Sequence, residues 1–327
     1  MERSPGSLVL DQEVGLLIDF RFFIIAIVAV FLSLGLGIVL GSGFLGDPIL
    51  GAIRGQVEDV LSDNENLERE ILELEAEQDA DQSFMTAIEP VVLEGKLESE
   101  EIVIIPIEGT DGDLLEGVHS AIEEAGGRVT SEMRLSNKLD LADEGARDDL
   151  ARALDSSISE AEELRTLLGQ ELGDRLGAAA NFSPPRRPKR GDDRLRPVEL
   201  IERLAGEGFL SVDGEGPAVP QDAGFVLAVG STDDVTWPVA RFIDSLASSL
   251  GGRRAPVVVV ETSDSAWDVV QDLRRSDSGN RPVSTVDNAE TVAGRIATAL
   301  ALDIAPESTG HFGIDEGAAA PIPTPTE

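Results

Sequence analysis

The chain has 327 residues, 62 of them acidic and 26 basic, for a formal charge of −36. So negative a surface repels nucleic acid and anionic lipid, and nucleic acid is excluded as a partner. With no cysteine, two histidines, three methionines and no tyrosine, disulfides, thiolate metal sites and cysteine nucleophiles are excluded as well.

Only Lys96, Lys138 and Lys189 are lysines. An acid-rich, lysine-poor surface suits a salty environment, where counter-ions screen the self-repulsion that opposes compaction. Residues 1–21 form a short tail, expected to be cytoplasmic. They are followed at 22–45 by an uncharged apolar run of ~24 residues, which as a helix reaches ~36 Å and spans a ~30 Å hydrocarbon core with some tilt. Signal peptides have a shorter apolar core of ~7–15 residues, so an uncleaved, single-pass anchor in the cell membrane is expected, with the bulk of the chain extracytoplasmic. Within the span, Ala29, Ser33, Gly37 and Gly41 recur every fourth residue. That stripe would let two membrane helices approach closely, although glycine and alanine are also simply frequent in such helices.

Residues 50–90 are expected to form a coiled-coil helix. Val57, Asn64 and Ile71 take the a positions and Val60, Leu67 and Leu74 the d positions. Ile53 extends the seam backwards, and Met85 and Ile88 continue it beyond Asp81. Branched residues at a, leucine at d and one asparagine favour a parallel two-stranded coil, so a homodimer through the membrane helix and the coil is expected. The flanking charges oppose it: Glu70 would face Glu75 of a second copy, and Asp63 would face Glu68. A single amphipathic helix packed on its own globular domain is the alternative.

From 98 to 305 the pattern is that of an extracytoplasmic α/β domain. Ile102–Ile107, Val129–Leu135, Phe225–Val229, Val257–Val260 and Val283–Val286 read as strands. Helices are expected up to Ala125, over 144–180 with a break near Ser156–Ser159, and over 238–250, 265–275 and 288–302. Apolar strands alternating with helices imply a mostly parallel sheet covered on both faces, a three-layer α/β fold. A Pro/Arg-rich loop at 183–197 interrupts it, and residues 306–327 read as a Pro-rich disordered tail.

Ligands of open parallel sheets sit at the carboxyl ends of the strands. Glu108, Asp111, Asp113, Asp233, Asp234, Glu261 and Asp264 fall there. Together they could hold a hard cation through oxygen, although aspartates at such positions more often cap helices. His119 and His311 have no second imidazole or thiolate at ligand spacing, and no catalytic or cofactor-binding signature is evident.

Four segments in order resemble the actinobacterial copper transport protein B family (MctB-like): Gly37-Ile-Val-Leu-Gly-Ser-Gly43 at the end of the anchor; Ala125-Gly-Gly-Arg-Val129; Ser284-Thr-Val-Asp-Asn-Ala289 continuing to Ala293-Gly-Arg295; and Gly310-His-Phe-Gly313. The resemblance implies a cell-envelope protein of copper transport and copper homeostasis, described as an outer-membrane efflux component in mycolate-bearing relatives. Copper is implied only in this way, and no ligand residue comes with it. Copper favours thiolate, thioether and imidazole, which this chain scarcely supplies, so an indirect role through an assembly or a partner is expected. The second reading is a structural or interaction module that displays an α/β domain to other envelope proteins.

Overall fold

The computed structural model describes residues 20–43, 46–180, 197–214, 216, 218–276, 282–305 and 307–324. The chain divides into two compact units, Met1–Gln78 and Asp79–Glu327.

In the first unit, α1 (Phe20–Gly43) is an uninterrupted apolar helix. Its stretch Phe20–Gly41 covers 22 residues with a mean hydropathy of 3.0 and is wholly unburied, long and apolar enough to cross a membrane by length and composition. Helix α2 (Gly46–Leu93) runs for 48 residues, and the division between the units falls within it. Of the expected tail 1–21, residues 1–19 lie outside the described residues, and Phe20 and Arg21 open α1.

The second unit is built on one seven-stranded sheet. Its strands are β1 (Glu101–Pro106), β2 (Arg128–Leu135), β3 (Leu210–Gly214), β4 (Gly224–Ala228), β5 (Val257–Val260), β6 (Ser284–Val286) and β7 (His311–Phe312). They lie in the order β3-β2-β1-β4-β5-β6-β7, and every pair is parallel except β2 with β3. The chain thus winds outward from β1 to β2, returns to β4 and continues the other way. This places the topological switch point between β1 and β4.

Alternation along the strands assigns side chains to the two faces. Val103, Ile105, Phe225, Leu227, Val257 and Val259 pack under α4 (Glu144–Ala153), α5 (Ala161–Ala179), α6 (Pro197–Gly206), α7 (Val239–Gly252) and α8 (Val269–Ser276). Ile102, Ile104, Val226, Ala228, Val258 and Val260 pack under the last turns of α2, α3 (Gly112–Glu124) and α9 (Val292–Ile304). The helices begin where local chemistry starts them. Asp111 Oδ1 accepts from the amides of Asp113 at 2.8 Å and Leu114 at 3.1 Å, Asp143 caps α4 through Ala146, and Thr291 caps α9 through Gly294.

The central α/β layers follow the alternation of apolar runs, and the edges do not. Strand β3 was not foreseen; its half-exposed, glycine-ended run Leu-Ser-Val-Asp-Gly pairs antiparallel to β2 with too little burial to leave a pattern. The expected disordered tail is corrected over its described part. Thr285 pairs with His311 and Val286 with Phe312, Phe312 is buried, and Gly313 N donates to Ala320 O. A two-residue strand fixed by long-range side-chain bonds carries no periodicity of its own. Residues 183–196 of the Pro/Arg-rich loop lie outside the described residues, and Pro197 opens α6.

Candidate functional site at the carboxyl ends of the strands

The fold's usual ligand crevice lies between the loops after β1 and β4. Here those loops are stitched together. Thr110 Oγ1 donates to Ala228 O at 3.1 Å, and Asp111 N donates to Gly230 O at 3.0 Å. The indole of Trp267 lies beside Gly109, and its Nε1 donates to Asp233 O at 2.7 Å. Trp237 is buried one loop away, edge-on to Phe242, with its Nε1 3.4 Å from Asn137 Oδ1. Hydrogen bonds and indole therefore occupy the place where a doubly wound sheet would receive a ligand.

The strand-end acids are dispersed over this rim. Glu108 Oε2 accepts from Asn137 N at 2.7 Å, and so supports the turn after β2. Asp111 caps α3, and Asp113 sits exposed in its first turn, where the positive end of the helix dipole favours it. Asp233, Asp234 and Asp264 are exposed. Glu261 differs from them: it is buried and reaches under α8, accepting from Val269 N at 3.1 Å, Val270 N at 2.7 Å and Ser265 Oγ at 2.7 Å. Burial raises its pKa above the ordinary glutamate value, and the amide and hydroxyl donors offset that only in part. Among the described residues, no three Asp, Glu, His or Cys side chains are grouped to hold a metal ion.

The soft and imidazole donors among the described residues each have packing or polar neighbours of their own. Met133, on β2, is fully buried, and Met85 packs against the core on the α3/α9 face. His119 Nε2 lies 3.4 Å from Glu132, and His311 Nδ1 lies 2.9 Å from Thr285 Oγ1.

What the structure does assemble is a buried polar lock at the β6–β7 edge. Arg274 of α8 and Asp287, just after β6, pair with side chains each 3% exposed. The same guanidinium donates through Nε to Thr285 Oγ1 at 3.0 Å and through Nη2 to Phe312 O at 2.7 Å. Asp287 also accepts from Ile314 N at 2.8 Å and Asp315 N at 3.1 Å. Gly313, at φ +126°, passes so close that an added Cβ would lie 2.1 Å from Asp287 Oδ1. Burial and the neighbouring Asp287 raise the pKa of Asp315. On the other face, Arg295 of α9 holds the buried Glu89 of α2 through two bonds of 2.9 and 2.8 Å. Gly294 lets the first turn of α9 close onto Asn288, whose carbonyl oxygen would be 1.9 Å from a Cβ there.

These contacts join segments that sequence order keeps apart. Ser284–Ala289 and Gly310–Gly313 are two sides of one lock, Ala293–Arg295 ties its flank to α2, and Ala125–Val129 turns the chain from α3 into β2 through Gly126 at φ +86°. Sequence reasoning missed Arg274, the partner that makes Asp287 tolerable in the core. It also missed Gly169, Gly173 and Gly177, which let α5 lie directly on α7. Glycine at every fourth position is the signal they carry in the sequence.

The stripe residues Ala29, Ser33, Gly37 and Gly41 lie on α1. Ser33 Oγ donates to Ala29 O at 2.6 Å, and no atom lies within 4 Å of where a Cβ would sit on Gly37 or Gly41. On α2, the seam residues Val57, Val60, Leu67, Ile71 and Leu74 are each more than half exposed, and Asn64 is exposed among them.

The family model described as "Copper transport outer membrane protein, MctB" matches residues 17–323. The chain is 27% identical over 323 residues to "Copper transporter MctB" of Mycobacterium tuberculosis (strain ATCC 25618 / H37Rv), covering 92% of this chain and 98% of the relative. It is 27% identical over 327 residues to the protein of the same name from Mycobacterium leprae (strain TN), with the same two coverages. All four segments that carry the resemblance fall inside the matched region, three of them holding the turns and locks just described, and the chain belongs to the MctB copper transport family.

Proposed function

We propose that this protein serves copper transport as a membrane-tethered component of an envelope assembly, without carrying the metal at a site of its own. The family supports the copper role. The observation that carries the indirect form is the placement of the soft donors. Among the described residues no three His, Cys, Asp or Glu side chains are grouped to hold a metal ion, Met133 and Met85 pack in different core clusters, and the two histidines sit against Glu132 of β2 and Thr285 of β6. The core strands are covered by helices on both faces, which is unlike the lipid-facing strands of an outer-membrane barrel. In this reading α1 is a single-pass anchor in the cell membrane, and the second unit works outside the cytoplasm.

Titrating the full chain in detergent with copper(I), against a competing chelator, tests the indirect role. Binding no tighter than micromolar is the expected result, and a nanomolar site would refute it. Proteolysis of intact cells and spheroplasts tests the topology, with cleavage of the second unit expected only once the outer layers are opened.

A second reading, a structural or interaction module of the envelope, draws support from the stitched β1/β4 crevice, which leaves surfaces for docking in place of a ligand cleft. Deletion strains separate the two. Copper hypersensitivity with an intact envelope favours the copper role, and envelope defects with normal copper tolerance favour the module.

A further inference from the structure

The seam on α2 is a long apolar stripe left exposed among the described residues. Val57, Val60, Leu67, Ile71 and Leu74 are 52%, 61%, 54%, 54% and 57% exposed. Leu61, beside them at an e position, is 57% exposed. A contiguous stripe of this kind marks an interaction surface. The stripe also ends for a visible reason. From Met85 onward the next heptad positions belong to the domain's own core, with Met85 and Val92 packed on it, Leu93 fully buried and Glu89 clamped by Arg295. Pairing that uses Val57 to Leu74 therefore competes with nothing the fold already uses.

We propose that a second copy of this chain covers the Val57–Leu74 seam, parallel and in register, and that the carboxylates beside the seam make the pairing depend on ionic strength. Three features select a copy over another partner. Valine and isoleucine at a with leucine at d is the pattern of a two-stranded parallel coil. Asn64 at the central a position meets its own counterpart only when the two copies are in register. The apolar α1 precedes α2 directly, so two copies inserted in the same sense start their seams at the same level and find one another at raised effective concentration. The flanks oppose this: Asp63 faces Glu68 of the copy, Glu70 faces Glu75, and Arg69 is the sole basic residue from Val57 to Gln82. Because these groups are exposed, salt weakens their repulsion, and the Debye length falls from about 30 Å at 0.01 M to about 3 Å at 1 M. The apolar seam feels no such screening. Low salt should part the copies, and high salt should join them.

The absence of cysteine makes the test clean. Single variants Val60→Cys and Leu74→Cys place a thiol in the seam, while Ser62→Cys and Ala76→Cys place one on the outer face. Each full-length variant is reconstituted in lipid nanodiscs and treated with diamide over a range of sodium chloride. Tryptophan fluorescence confirms that the second unit stays folded. The seam variants should cross-link at least fivefold faster than the outer ones, and their yield should rise severalfold from 20 mM to 1 M salt. In an Asp63→Asn/Glu68→Gln/Glu70→Gln/Glu75→Gln background the salt dependence should vanish, with the high yield already present at low salt. Equal cross-linking at seam and outer positions would overturn the proposal. So would, in nanodiscs loaded with the two seam variants together, a Val60→Cys to Leu74→Cys bond formed in preference to like pairs, which marks an antiparallel arrangement. No cross-link at any salt would assign the seam to a different partner. None of these outcomes bears on copper, so this proposal and the proposed function stand or fall separately.

Discussion

Replacing Gly173 with alanine tests whether the α5–α7 contact is as close as the structure has it. A Cβ on Gly173 would sit 2.7 Å from Leu246 O, 2.7 Å from Ser249 Cβ and 3.2 Å from Leu250 N. Carbon atoms at their optimum are ~3.5–4.0 Å apart, so the clash with Ser249 is roughly 1 Å deep. Two of the three obstructing atoms are backbone and cannot turn aside. The helices must separate, which loosens Leu172, Leu176, Leu246 and Leu250, all buried in the same cluster. Overpacking of this kind costs about 1–3 kcal/mol. Alanine also returns about 1 kcal/mol of helix propensity. The balance is a loss of about 0–2 kcal/mol, or up to roughly 8 °C in melting temperature for a unit of this size.

The control is Gly206 at the end of α6, where no atom lies within 4 Å of the added carbon. Gly206→Ala should leave stability unchanged or raise it slightly. Denaturation of the full chain in detergent, followed through Trp237 and Trp267, reads the second unit, which contains both tryptophans. If Gly173→Ala were stabilising, propensity would have won, and the close approach of α5 to α7 would be refuted.

The polar lock predicts a graded series. Asp287→Ala leaves Arg274 charged in a site 3% exposed and should cost about 3–5 kcal/mol. Gly313→Ala should free the segment 307–324 to proteolysis before the rest unfolds, because the new Cβ collides with Asp287. Glu89→Ala removes the two carboxylate acceptors of Arg295 and should raise hydrogen exchange in the last turns of α2 while the β4–β5 amides stay protected. Glu261 predicts a pH trend. Its folded pKa is raised by burial, so the folded state holds the proton more tightly than the unfolded chain, whose value is about 4.3. Its contribution is complete below the unfolded value and is lost as pH rises through the folded one. The stability of the native chain relative to Glu261→Gln should therefore fall as pH rises above the unfolded value, as read by urea denaturation. A flat difference would show that Glu261 titrates as it does in the unfolded chain.

The elements legible in the sequence are those whose burial has a period. Ile102–Ile107, Phe225–Val229 and Val257–Val260 are runs buried on both faces, and the helices between them carry one apolar side each. The break between α4 and α5 was legible too, because serines there bond to local backbone: Ser156 N donates to Ala151 O, and Ser156 Oγ accepts from Ile158 N. The β6–β7 edge was not legible. Its stability rests on Arg274 reaching across 38 residues to Phe312 O, and no window of local sequence contains both ends. The rim acids lay between these extremes. Their position at the strand ends follows from the fold, but whether each caps, bonds a neighbouring loop or faces solvent depends on side-chain geometry.

The same geometry bears on why the family segments look as they do. Ser284–Ala289 and Gly310–Gly313 have the composition of a binding motif: small residues, one acid, one amide, one imidazole. Yet three of its polar side chains end on other parts of the same chain, while the buried Asn288 Oδ1 has no hydrogen-bond partner. Thr285 joins Arg274 to His311, Asp287 joins Arg274 to the 314–315 backbone, and Ser284 Oγ accepts from Gly310 N at 3.3 Å. A buried ion pair adds little net stability over apolar packing, but it permits only one seating of the C-terminal segment against β6. Conformational specificity of that kind is what a docking surface requires. The polar groups left facing solvent lie elsewhere, on the rim at Asp233, Asp234 and Asp264 and along α2 at the heptad carboxylates, and these are the surfaces on which the proposed indirect role would act.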